Sequence, residues 1–242
     1  MKLREMRPHQ LRQAVAEGWP VLVPAGCVEL HGPHLPFGVD TLAAEAFCEG
    51  IAARIPAAIA PTVDYGPTGY ALSGPEDGTL DVRGEEFSGY VKEVLRNLWE
   101  MGWQRIVVMI HHQGMDGPEA LAFRKAGSEL TFEKLRAEKG RGWWGDRAPA
   151  THGRVWDRIR VGPTILPAAA SVTGGDHAGM WETNLMLHLR PDLVEMDRLE
   201  EEPYWYTASE GNRAADATAE QGAAMLAAMV DAWVVELSAG RS

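Results

Sequence analysis

The stretch that most constrains the fold is Ile106–Ile110, IVVMI, an unbroken apolar run between Arg105 and His111. Four of its five residues are β-branched, which favours a strand. With no polar residue alternating through it, such a strand has to be covered on both faces. A second run at residues 20–24, PVLVP, is bounded by prolines and reads as another buried strand. Residues 57–63 and 159–166 are weaker strand candidates.

Between these runs the apolar spacing is helical. Helices are expected at residues 8–18, 40–55 (stopped by Pro56), 85–101 (closed by Gly102), 118–139, 178–189 and 211–237. Strands alternating with helices imply βαβ units, hence an α/β fold in which a mainly parallel sheet carries helices on both faces. Residues 64–83, rich in Gly, Pro and Asp, read as a long loop, and residues 140–158 break the helical pattern. No repeat or linker divides the 242 residues, so a single domain spanning 1–242 is expected.

Charge excludes some functions. Acidic residues outnumber basic ones 34 to 23, a net charge of −11 that repels phosphate backbones and anionic lipid. No nucleic-acid or membrane partner is therefore expected. No run approaches the roughly 18 uninterrupted apolar residues of a membrane span. The two cysteines, Cys27 and Cys48, match no metal or disulfide spacing, and the first residues lack an apolar signal core, so a cytoplasmic location is expected.

In α/β sheets ligands bind beyond the carboxyl ends of the strands. Five of the eight histidines fall in three loops at such ends. Glu29, His31, His34 and Asp40 follow the first run; His111, His112 and Gln113 follow the second; His177 and Glu182 follow residues 159–166. Imidazoles and carboxylates together are natural ligands of Zn, Mn or Fe. Glu29 and His31, two residues apart, face the same way in an extended segment. Asp40 by position alone reads more readily as a helix N-cap than as a ligand, and the alternative for His177 is a cap of the helix beginning near residue 178. Cys27 reads as a small buried filler. No glycine-rich nucleotide-binding motif follows any strand.

The run PAGCVELHGPHLPFGVD, residues 24–40, resembles the N-terminal signature of the creatininase (creatinine amidohydrolase) family, Gly-Ser-x-Glu-Gln-His-Gly-Pro-His-Leu-Pro followed by Asp. The family's Asn-Gly-His-Gly-Gly-Asn motif aligns with residues 110–115, IHHQGM, in degraded form. Its His-Ala-Gly-x-x-Glu-Thr motif is present at residues 177–183. The resemblance implies a creatininase-like, often hexameric hydrolase holding two divalent metal ions, Zn or Mn, with Fe as a further option. It implies Glu29, His31, Asp40 (bridging) and His112 as ligands. Creatininase has a ligand Glu two residues beyond the motif-two histidine, where this chain has Gly114; Glu182 is expected to supply that carboxylate, the alternative being that it only orients His177. His177 matches the family's proton-transferring histidine.

His34, His111 and Gln113 are expected to bind substrate, with Glu76 and Asp77 adding polarity. Trp156 is expected in a flap over the site, an oligomer contact being the alternative. The expected reaction is hydrolysis of a C–N bond in a small cyclic amide by an activated water. Ring-opening C–C hydrolysis of a keto-inositol, and a non-catalytic assembly role on the same scaffold, are the alternatives.

Overall fold

In the computed structural model the described residues are 1–145, 155–202 and 204–239. Four parallel strands form one sheet in the order β2-β1-β3-β4. They are β1 (Val21–Ala25), β2 (Ala58–Ile59), β3 (Ile106–Ile110) and β4 (Ile159–Pro163). β1 pairs with β3 from Val21↔Ile106 to Ala25↔Ile110, and β3 with β4 from Ile106↔Ile159 to Ile110↔Pro163. The strand expected at 57–63 shrinks to two residues, because Pro61 has no N–H to extend the ladder. The chain rejoins the sheet edge only at the bridge Ala25↔Val63.

The helices are α1 (Pro8–Ala16), α2 (Val39–Arg54), α3 (Gly84–Glu100), α4 (Pro118–Lys139), α5 (Met180–Leu189) and α6 (Ala219–Ala239). They cover both faces of the sheet, as the apolar runs require. Val21, Val23, Ile106, Val108 and Ile110 join Phe87, Val91, Leu95, Phe123 and Leu130 of α3 and α4. The intervening Leu22, Val107 and Met109 face the other way, against Phe47 and Ile51 of α2 and Met229 and Trp233 of α6. This alternation is the period of two of a strand, read against a different helix layer on each side.

α6 begins at Ala219, eight residues later than its apolar spacing suggests, after a short 3₁₀ turn at Ala214–Asp216. It is long and apolar enough to cross a membrane by length and composition. Its stripe Met225, Met229, Trp233, Leu237 is nevertheless buried, and its outer face pairs Asp231 with Arg54 and Glu236 with Arg160. Its first turn crosses α5 so closely that a Cβ on Gly222 would clash with the Asn184 carbonyl oxygen.

Candidate metal centre and active-site cavity

The loops leaving β1, β3 and β4 at their carboxyl ends converge on one buried cluster. Gly26 ends β1; a Cβ there would stand 2.7 Å from the Asp40 Cβ, so glycine is what lets the first turn of α2 close onto the strand. Gly38 takes the N-cap position of α2, and Asp40 sits in the first turn with its carboxylate turned back over the loop. The N-cap reading of Asp40 is therefore replaced by a buried carboxylate whose charge is favoured by the helix N-terminus.

The two oxygens of Asp40 diverge. Oδ2 lies 3.0 Å from His112 Nδ1, and Oδ1 lies 3.7 Å from His31 Nε2. Around His112 gather Glu29 Oε1 at 3.3 Å and Cys27 Sγ at 3.2 Å. Around His31 Nε2 lies Glu182 Oε2 at 3.5 Å. Two groups of donor atoms thus share Asp40: Cys27, Glu29, Asp40 and His112 in one, His31, Asp40 and Glu182 in the other.

His31 is aimed by its own loop. Its Nδ1–H donates to the Glu29 carbonyl at 3.1 Å, which turns Nε2 toward the carboxylates, where it has no hydrogen-bond partner. A backbone bond at one ring nitrogen that frees the other is the usual support of a ligating histidine. Glu182, in the first turn of α5, accepts the Ala178 N–H at 2.7 Å and faces His31. His177 is held instead by Leu30, whose carbonyl accepts its Nε2–H at 2.8 Å. Nor does His177 cap α5, since the Asp176 carboxylate accepts the N–H groups of Trp181 and Glu182.

Electrostatics show what the cluster is built to hold. Burial pushes His112 down, but Asp40 and Glu29 outweigh it and raise it to about 11. His31 is likewise pushed down by burial and raised to about 9 by Glu182 and Asp40. Burial pushes Asp40 up, and His31 and His112 hold it well below the usual carboxylate range. Glu182, which burial drives upward, reaches about 8. Among the described residues, the ion-pair partners of Glu29, Asp40 and Glu182 are histidines, with no Lys or Arg. Without metal, protons on His31 and His112 carry the positive charge that this field demands. The donor set fits divalent cations in their place.

A cavity of about 520 Å³ opens onto this cluster, within the range for small-molecule sites. His111, Gln113 and His177 line it. His111 Nδ1 is fixed 2.6 Å from the Thr164 hydroxyl, and Gln113 takes a left-handed φ of 54° that a non-glycine residue holds only at a cost.

His34 does not reach the cavity. It is buried with Nε2 donating to the Thr183 hydroxyl at 2.9 Å, joining the β1 loop to α5, and burial lowers it to about 4. Trp156 lies just before β4, at the opposite end of that strand from the cluster. There it packs on Phe132 and Trp143 beside a larger groove of about 1040 Å³ that holds none of the clustered donors. A flap over the site is thus not what this Trp forms within its own chain; residues 146–154 of the segment lie outside the described residues. Glu76 and Asp77 are exposed and do not line the cavity either. Leu72, Ile165, Trp181 and Leu185 do, so the cavity lining is more apolar than expected.

Two residues not expected at the site stand out. Cys27, read from sequence as a buried filler, donates its Sγ–H to Asp40 Oδ2 at 3.1 Å. Glu119, in the first turn of α4, is fully buried with neither carboxylate oxygen hydrogen-bonded, and burial pushes it up to about 8. An acid in the first turn of a helix is so common that sequence gives no signal to separate this one.

Comparison with known proteins agrees. The creatininase family model, described as creatinine amidohydrolase, matches residues 4–237. Creatinine amidohydrolase of Pseudomonas putida is 30% identical over 189 residues, covering 76% of this chain and 69% of that protein. A mycofactocin precursor peptide peptidase of Mycobacterium ulcerans is 30% identical over 195 residues, covering 75% of this chain and 63% of that protein. A solved manganese form of creatininase has a TM-score of 0.74 at 24% identity, covering 98% of this chain and 96% of that one. These matches define the class as metal-dependent hydrolase. The chain belongs to the creatininase family.

Proposed function

We propose that this protein hydrolyses the C–N bond of a small amide, using two divalent cations, Zn or Mn, held by Glu29, Asp40 and His112 on one side and His31, Asp40 and Glu182 on the other. The observation that carries the reading is the divergence of the Asp40 oxygens toward two histidines, 3.0 and 3.7 Å away, in one buried cluster. Cations held by these residues would polarise a substrate carbonyl and lower the pKa of the attacking water.

The chain's own groups do the rest. With Nε2–H committed to Leu30, the free lone pair of His177 is on Nδ1, 3.6 Å from Glu29 Oε1. In the metal-free protein burial and the charge of His31 lower His177 to about 4, and burial alone favours the neutral, proton-accepting ring. It takes the proton of the attacking water and returns it to the leaving nitrogen. His111 and Gln113 offer polar contacts beside the reacting carbonyl, and Trp181, Leu185 and Ile165 receive an apolar flank of the substrate. That apolar wall favours an amide with hydrocarbon bulk over a polyhydroxylated keto-inositol.

The test is elemental analysis of wild type and Asp40→Ala, with assay of cyclic amides, short peptides and a keto-inositol for amine or acid release. Close to two ions per wild-type chain, fewer in the variant, and amine release are expected. A wild type that binds no Zn or Mn overturns the reading.

A further inference from the structure

Cys27 is held where a fourth donor would stand. Its Sγ is 3.1 Å from Asp40 Oδ2 and 3.2 Å from His112 Nδ1. His112 Nδ1 is in turn 3.0 Å from Asp40 Oδ2 and 3.3 Å from Glu29 Oε1. Donors around a tetrahedral Zn, at about 2.0–2.3 Å from the ion, are roughly 3.3–3.6 Å from one another. These four contacts need only part by a few tenths of an ångström to match that spacing, and all four donor atoms lie within 4.8 Å of one another.

A second feature lies behind the thiol. A Cβ on Gly66 would be 3.3 Å from Cys27 Cβ and 3.1 Å from Glu119 Oε1, so the buried, unpartnered Glu119 carboxyl abuts the cysteine across a glycine. A cysteine serving as filler needs no such polar surround. Cys48, packed among Leu22, Phe47 and Ile51, shows what a filler looks like in this chain.

We infer that Cys27 is a thiolate ligand of the cation position formed with Glu29, Asp40 and His112, and that it biases this position toward Zn over Mn. The inference rests on the cation-binding reading above. On binding, the S–H bond breaks, a sulfur–metal bond forms and the proton leaves to solvent; no electron is transferred. Thiolate is a soft donor that suits Zn, whereas Mn prefers oxygen.

The experiment loads wild type, Cys27→Ser and Cys48→Ala with Co(II) alone, and reads metal content, the visible d–d bands and the near-ultraviolet thiolate-to-cobalt charge-transfer band. The band is expected in wild type and Cys48→Ala and absent from Cys27→Ser, with cobalt still bound. Competition of Zn against Mn should show Zn affinity falling more than Mn affinity in Cys27→Ser. Bound cobalt in wild type without the charge-transfer band overturns the inference while leaving the cation site standing. So does an equal loss of Zn and Mn affinity, of the 10–100-fold kind that follows loss of a supporting hydrogen bond. No cobalt bound to wild type overturns the cation reading and this inference together.

Discussion

His177 is separable from the cluster it touches. It meets His31 ring to ring at 4.3 Å and Tyr206 edge-on at 5.1 Å, and its donor atom neighbours those of Glu29 and His31, yet it belongs to neither donor group that contains Asp40. Replacing it by Ala should therefore leave Zn content near wild type while kcat falls by about 10²–10⁴, the worth of a positioned proton-transfer group. Loss of metal in that variant would instead make His177 a ligand. At this scale the sequence was uneven. Glu29 and His31 were paired by their two-residue offset, whereas Asp40, an N-cap by position alone, was joined to them by the creatininase-like motif. His34 carries the same chemistry in the same motif, but whether its ring turns to the cavity or to Thr183 depends on α5, which lies 149 residues away in sequence. Cys27 and Glu119 were illegible for the same reason: each is defined by what surrounds it.

The elements themselves were set by strong local signals. IVVMI is β3 without alteration, and Pro118–Lys139 is α4, opened by Pro at N1 and closed by Gly140. Where the signal was apolar content alone it overshot: β4 stops at Pro163 and α6 starts at Ala219, because ladder partners and turns, not composition, end an element. The α5–α6 crossing adds a constraint that no periodicity carries. Gly222 accepts the Asn184 carbonyl at a distance where a methyl group cannot fit, and both partners there are backbone or Cβ atoms that cannot rotate away. Gly222→Ala gains helix propensity, worth about 1 kcal/mol in an open helix. It nevertheless should destabilise the protein by about 1–3 kcal/mol, the usual cost of overpacking. Because α5 carries Glu182, the variant should also hold metal less tightly. Denaturant melts and Zn titration of this variant check both; a more stable protein would mean that the two helices simply slide apart.

Over the whole molecule, the cluster makes stability depend on what neutralises it. In metal-free protein His31 and His112 have folded pKa values raised to about 9 and 11 from 6.5. A raised histidine contributes stability that is complete below its unfolded pKa and is lost as pH rises through the folded value. Glu119 and Glu182, raised by burial to about 8 from 4.5, act with the same sign: the unfolded chain ionises them first, so stability drains away as pH climbs toward 8. His34 and His177, lowered to about 4, act only below 6.5, where they remove stability as pH falls. Above pH 6.5 the shifts of His31, His112, Glu119 and Glu182 therefore point one way, and the metal-free protein should lose Tm steadily from pH 6.5 to 9.5. Cations bound as proposed would replace those protons with charge that does not titrate, and binding to the folded state alone would add stability of its own. The Zn-loaded protein should then melt higher at every pH and show a much flatter profile over the same range. Thermal melts of chelator-treated and Zn-loaded protein across this window measure the difference. Parallel profiles, with and without Zn, would mean that these buried groups are not where the cations bind.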